Sequence, residues 1–258
     1  MEDRSNGLGG RVALVVGGFG GIGTAITAAL HAAGAHVVVA GRTPARDRPI
    51  GEGASLAATS YCVCDVRDPA SCRALAEEVT HRHGRLDIVI DCSNPTVSGV
   101  AGRFVDANPD HFGALLQAKP GALFNVCHAM LPLLSAGGGG AILAFASDAG
   151  RVAGPNQALV AASSAAATMF VRSLALEIAP ENIRINCIST SFVRDTPVYA
   201  EVMAGPRGSR ARNAAQRAQL GLPVPADLAD LALFLCGPSA SHLTGQIVSV
   251  NGGLSSGL

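Results

Sequence analysis

The segment Val12-Ala13-Leu14-Val15-Val16-Gly17-Gly18-Phe19-Gly20-Gly21-Ile22-Gly23-Thr24-Ala25-Ile26 decides the fold. An apolar run of strand length leads into a loop dense in glycine, and a helical pattern follows. An uninterrupted apolar run of this kind reads as a strand buried on both faces. The glycines let the backbone turn tightly and come close to a guest. A phosphate suits that place, because the free N–H groups at a helix start and the positive end of its dipole stabilise an anion.

Composition narrows the class. At 258 residues the chain suits one large domain with a buried core. Charged residues make up 15%, apolar residues 48%, and 19 acids balance 19 bases. No stripe of positive charge favours nucleic acid, and no uninterrupted apolar run reaches the roughly 18 residues of a membrane span. Met1–Gly10 is polar and glycine-rich without an apolar centre, which reads as a loose tail and not as a secretory signal. The cysteines are scattered in a chain too large to need stapling, so they read as small buried hydrophobes in a reducing, cytoplasmic setting. Cys62 and Cys64 lie close together in a strand pattern with no matching Cys or His pair, and no metal site is expected.

Outward from the glycine turn, strand and helix patterns alternate. Thr24–Ala33 reads as a helix with Gly34 at a left-handed C-cap. His36–Ala40 is the second strand, Ser60–Val66 the third, Pro69–His83 an amphipathic helix and Leu86–Ile90 the fourth strand. The Gly137–Gly140 run turns into a fifth strand, Ala141–Ala146. An alanine-rich helical pattern covers Pro155–Ala179, with Met169, Phe170, Leu174 and Ile178 on its apolar side and Ala161, Ala165 and Thr168 on the other. Asn182–Ile188 is the sixth strand, Pro225–Leu235 a helix, and Thr244–Gly253 closes the sheet. This alternation predicts an α/β fold, a doubly wound parallel sheet flanked by helices on both faces. One domain is expected over 11–258, with a polar, arginine-rich segment at about 194–220 reading as a substrate lid.

The spacing of Gly17, Gly21 and Gly23 resembles the G-x-x-x-G-x-G turn of the short-chain dehydrogenase/reductase family. The segment Asn182-Ile183-Arg184-Ile185-Asn186 and the ending Thr244-Gly245-Gln246-Ile247-Val248-Ser249-Val250-Asn251-Gly252-Gly253 are also similar to the family, so the likeness covers nearly the whole chain. It implies a Rossmann-type fold, a nicotinamide dinucleotide, a small-molecule substrate, and a homodimer or homotetramer joined through the alanine-rich helix. It also implies that Gly17, Phe19, Gly21, Ile22 and Gly23 surround the cofactor's phosphates, that Asp65 and Val66 border the adenine, and that Ser93 lies on the nicotinamide side. NAD-binding folds place an acid about 20 residues past the glycine turn. This chain has Gly41-Arg42 there, with Arg46 and Arg48 close behind. A guanidinium in place of a carboxylate fits a 2′-phosphate, so NADP is the expected cofactor.

Family members move a hydride between the nicotinamide and a carbonyl or alcohol carbon. A tyrosine gives or takes the proton, a lysine lowers its pKa, and a serine bonds the same oxygen. Ser147, in Ala144-Phe145-Ala146-Ser147-Asp148-Ala149-Gly150, keeps the serine place. The tyrosine place falls on Val160 and the lysine place, one helical turn on, falls on Ser164. Valine has no proton to give, and serine carries no charge. The family's asparagine place on an earlier helix holds Lys119, the chain's one lysine. A lysine at this place is similar to the ketoreductase domains of modular polyketide synthases, which nonetheless keep the tyrosine. Asp91-Cys92-Ser93-Asn94 and Thr190-Ser191 stand where the family has Asn-Asn-Ala-Gly and Pro-Gly. Asp91 and Asp148 become acid–base groups if burial raises their pKa, and Tyr199 is the tyrosine of the lid. The catalytic candidates are therefore Ser147, Lys119, Asp148 and Tyr199. Three readings stay open: an atypical NADP-dependent reductase of a carbonyl, enone or imine in polyketide or other secondary metabolism; a non-redox cyclase, isomerase or dehydratase; and an NADP-binding pseudoenzyme that partners an active relative.

Overall fold

A computed structural model describes residues 7–43, 59–93, 97 and 99–255. Arg46, Arg48 and Asn94 lie outside the described residues. At the centre is β1 (Val12–Val16), buried at every position. It leads through the glycine turn into α1 (Gly21–Ala32), then β2 (His36–Gly41), β3 (Thr59–Val63), α2 (Pro69–His83) and β4 (Ile88–Asp91). The short helix α3 (His111–Leu116) runs through a π-turn, Gln117–Gly121, into α4 (Ala122–Ala136). Next come β5 (Gly140–Ser147), α5 (Ala158–Ile178), β6 (Ile183–Thr190), α6 (Pro197–Ala204), α7 (Gly208–Arg217), α8 (Pro225–Cys236) and β7 (Ile247–Val250). The seven strands are all parallel, in the order β3-β2-β1-β4-β5-β6-β7.

Successive strand side chains point to opposite faces, which splits the core into two layers. Val12, Leu14 and Val16 join Leu75, Val79, Val126, Met130, Val171 and Leu174, under α2, α4 and α5. Ala13 and Val15 join Ile26, Leu30, Leu228 and Leu233, under α1 and α8. The expected doubly wound sheet is therefore the observed one.

Several local readings change. The third strand stops at Val63, because the chain turns at Asp65, whose N–H donates to Ser71 Oγ at 3.0 Å while Asp68 caps α2. The N-terminal segment is not loose where it is described: Leu8 is 2% exposed in the α1–α8 layer, and Gly10 N–H donates to the Gly34 carbonyl. Met169 was expected on the apolar side of α5, yet it is 57% exposed. The helix Ala158–Glu181 is long and apolar enough by composition to cross a membrane, although polar residues interrupt its apolar runs. Its Val171, Leu174 and Ile178 are buried against the sheet. The expected lid contains α6 and α7, resting on a small cluster of Phe192, Tyr199, Ala214, Ala218, Leu222 and Leu254.

Candidate active site

The strand order turns back between β1 and β4: their connecting helices leave to opposite faces, which opens a crevice beyond the strands' carboxyl ends. The glycine turn sits in that crevice. Gly17 adopts φ +75° and its N–H donates to the Ala40 carbonyl at 2.7 Å, a left-handed corner that glycine takes without steric cost. A Cβ on Gly23 would lie 2.3 Å from the Gly17 carbonyl oxygen, so the helix start fits under the turn only without a side chain. The N-cap residue Gly20 offers no side-chain cap to α1, and no acid stands in its first turn. These N–H groups and the positive helix end suit a diphosphate. Ile22 packs into the α1 layer beside them. Thr196 lies directly above, since a Cβ on Gly21 would come 2.9 Å from Thr196 Cβ. Its Oγ1 accepts from Tyr199 N–H at 3.1 Å and caps α6, so the first turn of the lid rests on the glycine turn. Thr196 was missed in the sequence, although a threonine before Pro197 is a cap signal.

Phe19 packs its ring against Tyr61 at 5.2 Å between centroids. The Tyr61 hydroxyl donates to the Gly41 carbonyl at 2.7 Å, which fixes the backbone just before Arg42. Asp65 accepts three hydrogen bonds from Arg67, two from its guanidinium at 2.9 and 2.6 Å and one from its backbone N–H at 3.1 Å. That pairing, reinforced by the nearby charge of Arg42, outweighs partial burial and holds the Asp65 carboxyl at about 2. Arg42 itself is exposed and makes no ion pair among the described residues. The Val66 carbonyl is held from the other side by Asn125 of α4, at 2.9 Å. With Asp65 neutralised by Arg67, the donors here suit an anion beside Arg42.

At the end of β4, Asp91 is 6% exposed and Oδ1 accepts the Ser93 N–H at 2.9 Å. Burial outweighs that bond and raises its carboxyl to about 6, as an acid–base group near neutrality requires. The buried Ser93 hydroxyl lies beside the same carboxylate and, like the Ser93 N–H, favours its ionised form. Together the glycine cradle and the bare helix start fit a nicotinamide dinucleotide.

Ser147 ends β5, and its Oγ accepts the Ala149 N–H at 3.2 Å, which leaves its O–H able to donate. Lys119 sits in the π-turn, where Pro120 lacks the N–H that a regular helix needs. Burial lowers its pKa. The π-turn and the short 3-10 turn after Ser147 both pack against α5, which carries half-buried Val160 and, one turn on, buried Ser164. The Asp148 carboxylate accepts hydrogen bonds from Ser189 Oγ at 2.6 Å, Ser249 Oγ at 2.7 Å and Asn251 Nδ2 at 2.7 Å. It ties β5 to β6 and β7, a structural role hidden in the sequence by the distance to those partners. The Tyr199 ring lies edge-on to Phe192 in the lid cluster, at 6.4 Å between centroids.

Residues 17–255 match a family whose description is Enoyl-(Acyl carrier protein) reductase. The chain is 32% identical over 261 residues to the pig protein Dehydrogenase/reductase SDR family member 4, covering 99% of this chain and 91% of that one. The chain belongs to the short-chain dehydrogenase/reductase family. Within that family it is 31% identical to a tropinone reductase homolog of Datura stramonium, over 97% of this chain and 94% of the relative. Among solved structures, gox2181 superposes with TM-score 0.87 at 29% identity, covering 97% of each chain. A 7 alpha-hydroxysteroid dehydrogenase complexed with NADH and 7-oxo glycochenodeoxycholic acid superposes with TM-score 0.86 at 29% identity, covering 98% of each. Short-chain dehydrogenase/reductases are oxidoreductases that use a nicotinamide cofactor on small molecules.

Proposed function

We propose that this chain is an atypical NADP-dependent reductase acting on a carbonyl, enone or imine of a small molecule, in polyketide or other secondary metabolism. Arg42 carries the reading. It follows β2 directly, where an NAD-selective site would hold an acid, and Arg67 pairs with a carboxylate near it, Asp65. Gly17, Phe19, Gly21, Ile22, Gly23, Asp65, Val66 and Ser93 complete the cofactor site. When bound, NADPH supplies a hydride to the substrate carbon. The Ser147 O–H donates to the substrate oxygen, and Lys119, whose proton burial loosens, delivers the proton that Val160 cannot. Tyr199 closes the site from the lid. The exposed apolar residues Met169 and Leu176 of α5, with Phe124 of α4, support a homodimer or homotetramer.

The test is NADPH deuterated at C4, offered with a panel of ketones, enones and imines and read by mass spectrometry. Deuterium in a product supports the reading; tight NADPH binding with no labelled product across the panel overturns it. Asp91 favours a second reading, a non-redox isomerase, cyclase or dehydratase, because a buried acid near pKa 6 can move protons without a cofactor. Product formed in the absence of NADPH selects that reading, and no product from any substrate leaves the NADP-binding partner protein.

A further inference from the structure

We propose that Asp148 is a positioning residue that holds the Ser147 hydroxyl in place and ties it to the α6–α7 segment through residues 251–254. This rests on the reductase reading, in which Ser147 bonds the substrate oxygen. Ser147 and Asp148 belong to one short turn. The Ser147 Oγ accepts the Ala149 N–H, and the Asp148 carbonyl accepts the N–H groups of Arg151 and Val152, both at 2.9 Å. Whatever fixes Asp148 therefore fixes the backbone that carries the serine hydroxyl. Its side chain is the anchor: Asp148 is 6% exposed, and Ser189, Ser249 and Asn251 all donate to its two carboxylate oxygens. A buried group bonded from three sides is held in one orientation.

The same bonds lead on to the α6–α7 segment. Asn251 follows β7 directly and is buried; its Oδ1 accepts the Gly253 N–H at 3.0 Å, and its carbonyl accepts the Leu254 N–H at 3.2 Å. Asn251 thus shapes the turn 251–254 while its Nδ2 reaches Asp148. That turn meets the far end of the α6–α7 segment twice. The Gly252 carbonyl accepts the Leu220 N–H at 3.0 Å, and Leu254 packs with Tyr199, Ala214, Ala218 and Leu222. The near end closes onto the same place, since the Arg194 N–H donates to the Pro223 carbonyl at 2.8 Å. Both ends of the segment that stands over the glycine turn therefore rest on a turn whose side-chain anchor is Asp148. A movement of α6 or α7 is felt at Ser147 along this unbroken path.

The experiment compares Asp148→Ala, Asp148→Asn and Asn251→Ala in the full chain. It reads hydrogen exchange by mass spectrometry, and reduction of a substrate found with C4-deuterated NADPH. An asparagine at 148 can still accept from Asn251 and bond the two serine hydroxyls, so it keeps the anchor and loses only the capacity for acid–base work. Asp148→Ala should speed exchange about tenfold in both 147–152 and 218–223, as the loss of one or two buried hydrogen bonds gives, and leave β1 unchanged. Its kcat should fall about a hundredfold with KM for NADPH unchanged, the cost of a misplaced reacting group. Asn251→Ala removes no bond of Ser147's own, yet it should lower kcat about tenfold and speed exchange in the same two stretches. Asp148→Asn should recover most of the lost kcat and the slow exchange. If Asp148→Asn is as inactive as Asp148→Ala, the carboxylate is an acid–base group and the proposal is overturned. Faster exchange confined to 147–152 overturns it too, as does wild-type behaviour in Asn251→Ala, the variant that decides the matter if Asp148→Ala does not fold. A wild type that transfers no deuterium to any substrate counts against the reductase reading, and the exchange data still decide the coupling.

Discussion

Asp91 gives the sharpest test of the physical account. Its carboxyl is raised from 3.8 to about 6 by burial, so the native state resists its ionisation. The shift of about two units corresponds to roughly 3 kcal/mol at about 1.36 kcal/mol per unit. The sign follows from linkage. With the folded pKa above the unfolded one, the favourable contribution is complete below pH 3.8 and is lost as pH rises through about 6. Asp91→Asn keeps an oxygen to accept the Ser93 N–H but cannot ionise. Wild type should therefore lose about 1.5 kcal/mol relative to the variant between pH 5 and pH 8, and the variant should be the more stable at pH 8 by up to roughly 3 kcal/mol. Urea unfolding followed by circular dichroism at both pH values measures this. Parallel pH dependence in the two proteins, or a less stable variant at pH 8, refutes the assignment of a buried, proton-holding acid at the end of β4.

Other outcomes follow from the same geometry. Gly23→Ala puts a Cβ 2.3 Å from the Gly17 oxygen and 2.8 Å from Gly18 Cα. Backbone on both sides cannot yield cheaply, so unfolding should show a loss of about 1–3 kcal/mol together with weakened cofactor binding. Burial pushes Asp87 up, yet bonds from Arg85, the Val12 N–H and Arg11 win and hold its carboxyl below the usual range. That stability is present above the unfolded pKa of about 3.9 and disappears as pH falls through the folded one, so Asp87→Asn should flatten the acid limb of a pH–stability curve. Leu176→Glu, at a residue 80% exposed, should shift sedimentation from dimer or tetramer to monomer without changing the circular dichroism spectrum.

The sequence was most readable where local pattern and tertiary structure agree. β1 is apolar because both its faces are covered, and Gly17, Gly21 and Gly23 are spaced as the turn demands. Asp91 was legible as a candidate, since a carboxylate at the end of an apolar strand has little choice but burial. The hydrogen-bond network of Asp148 is not legible in the sequence, because its partners Ser189, Ser249 and Asn251 come from β6, β7 and the segment beyond, and no local spacing announces them. Leu8 looked like part of a tail because one leucine among polar residues carries no period; its burial comes from tertiary packing. The end of β3 depends on Ser71 reaching back to Asp65, a contact that strand propensity does not register.

The central claim, a cofactor site selected for NADP by Arg42, is tested most directly by calorimetric titration of the protein with NADPH and NADH. The account predicts NADPH binding at least about tenfold tighter, as one guanidinium–phosphate fork supplies, and near-equal affinities in Arg42→Ala. Equal or tighter binding of NADH by the wild type, or an NADPH preference that survives Arg42→Ala, contradicts it.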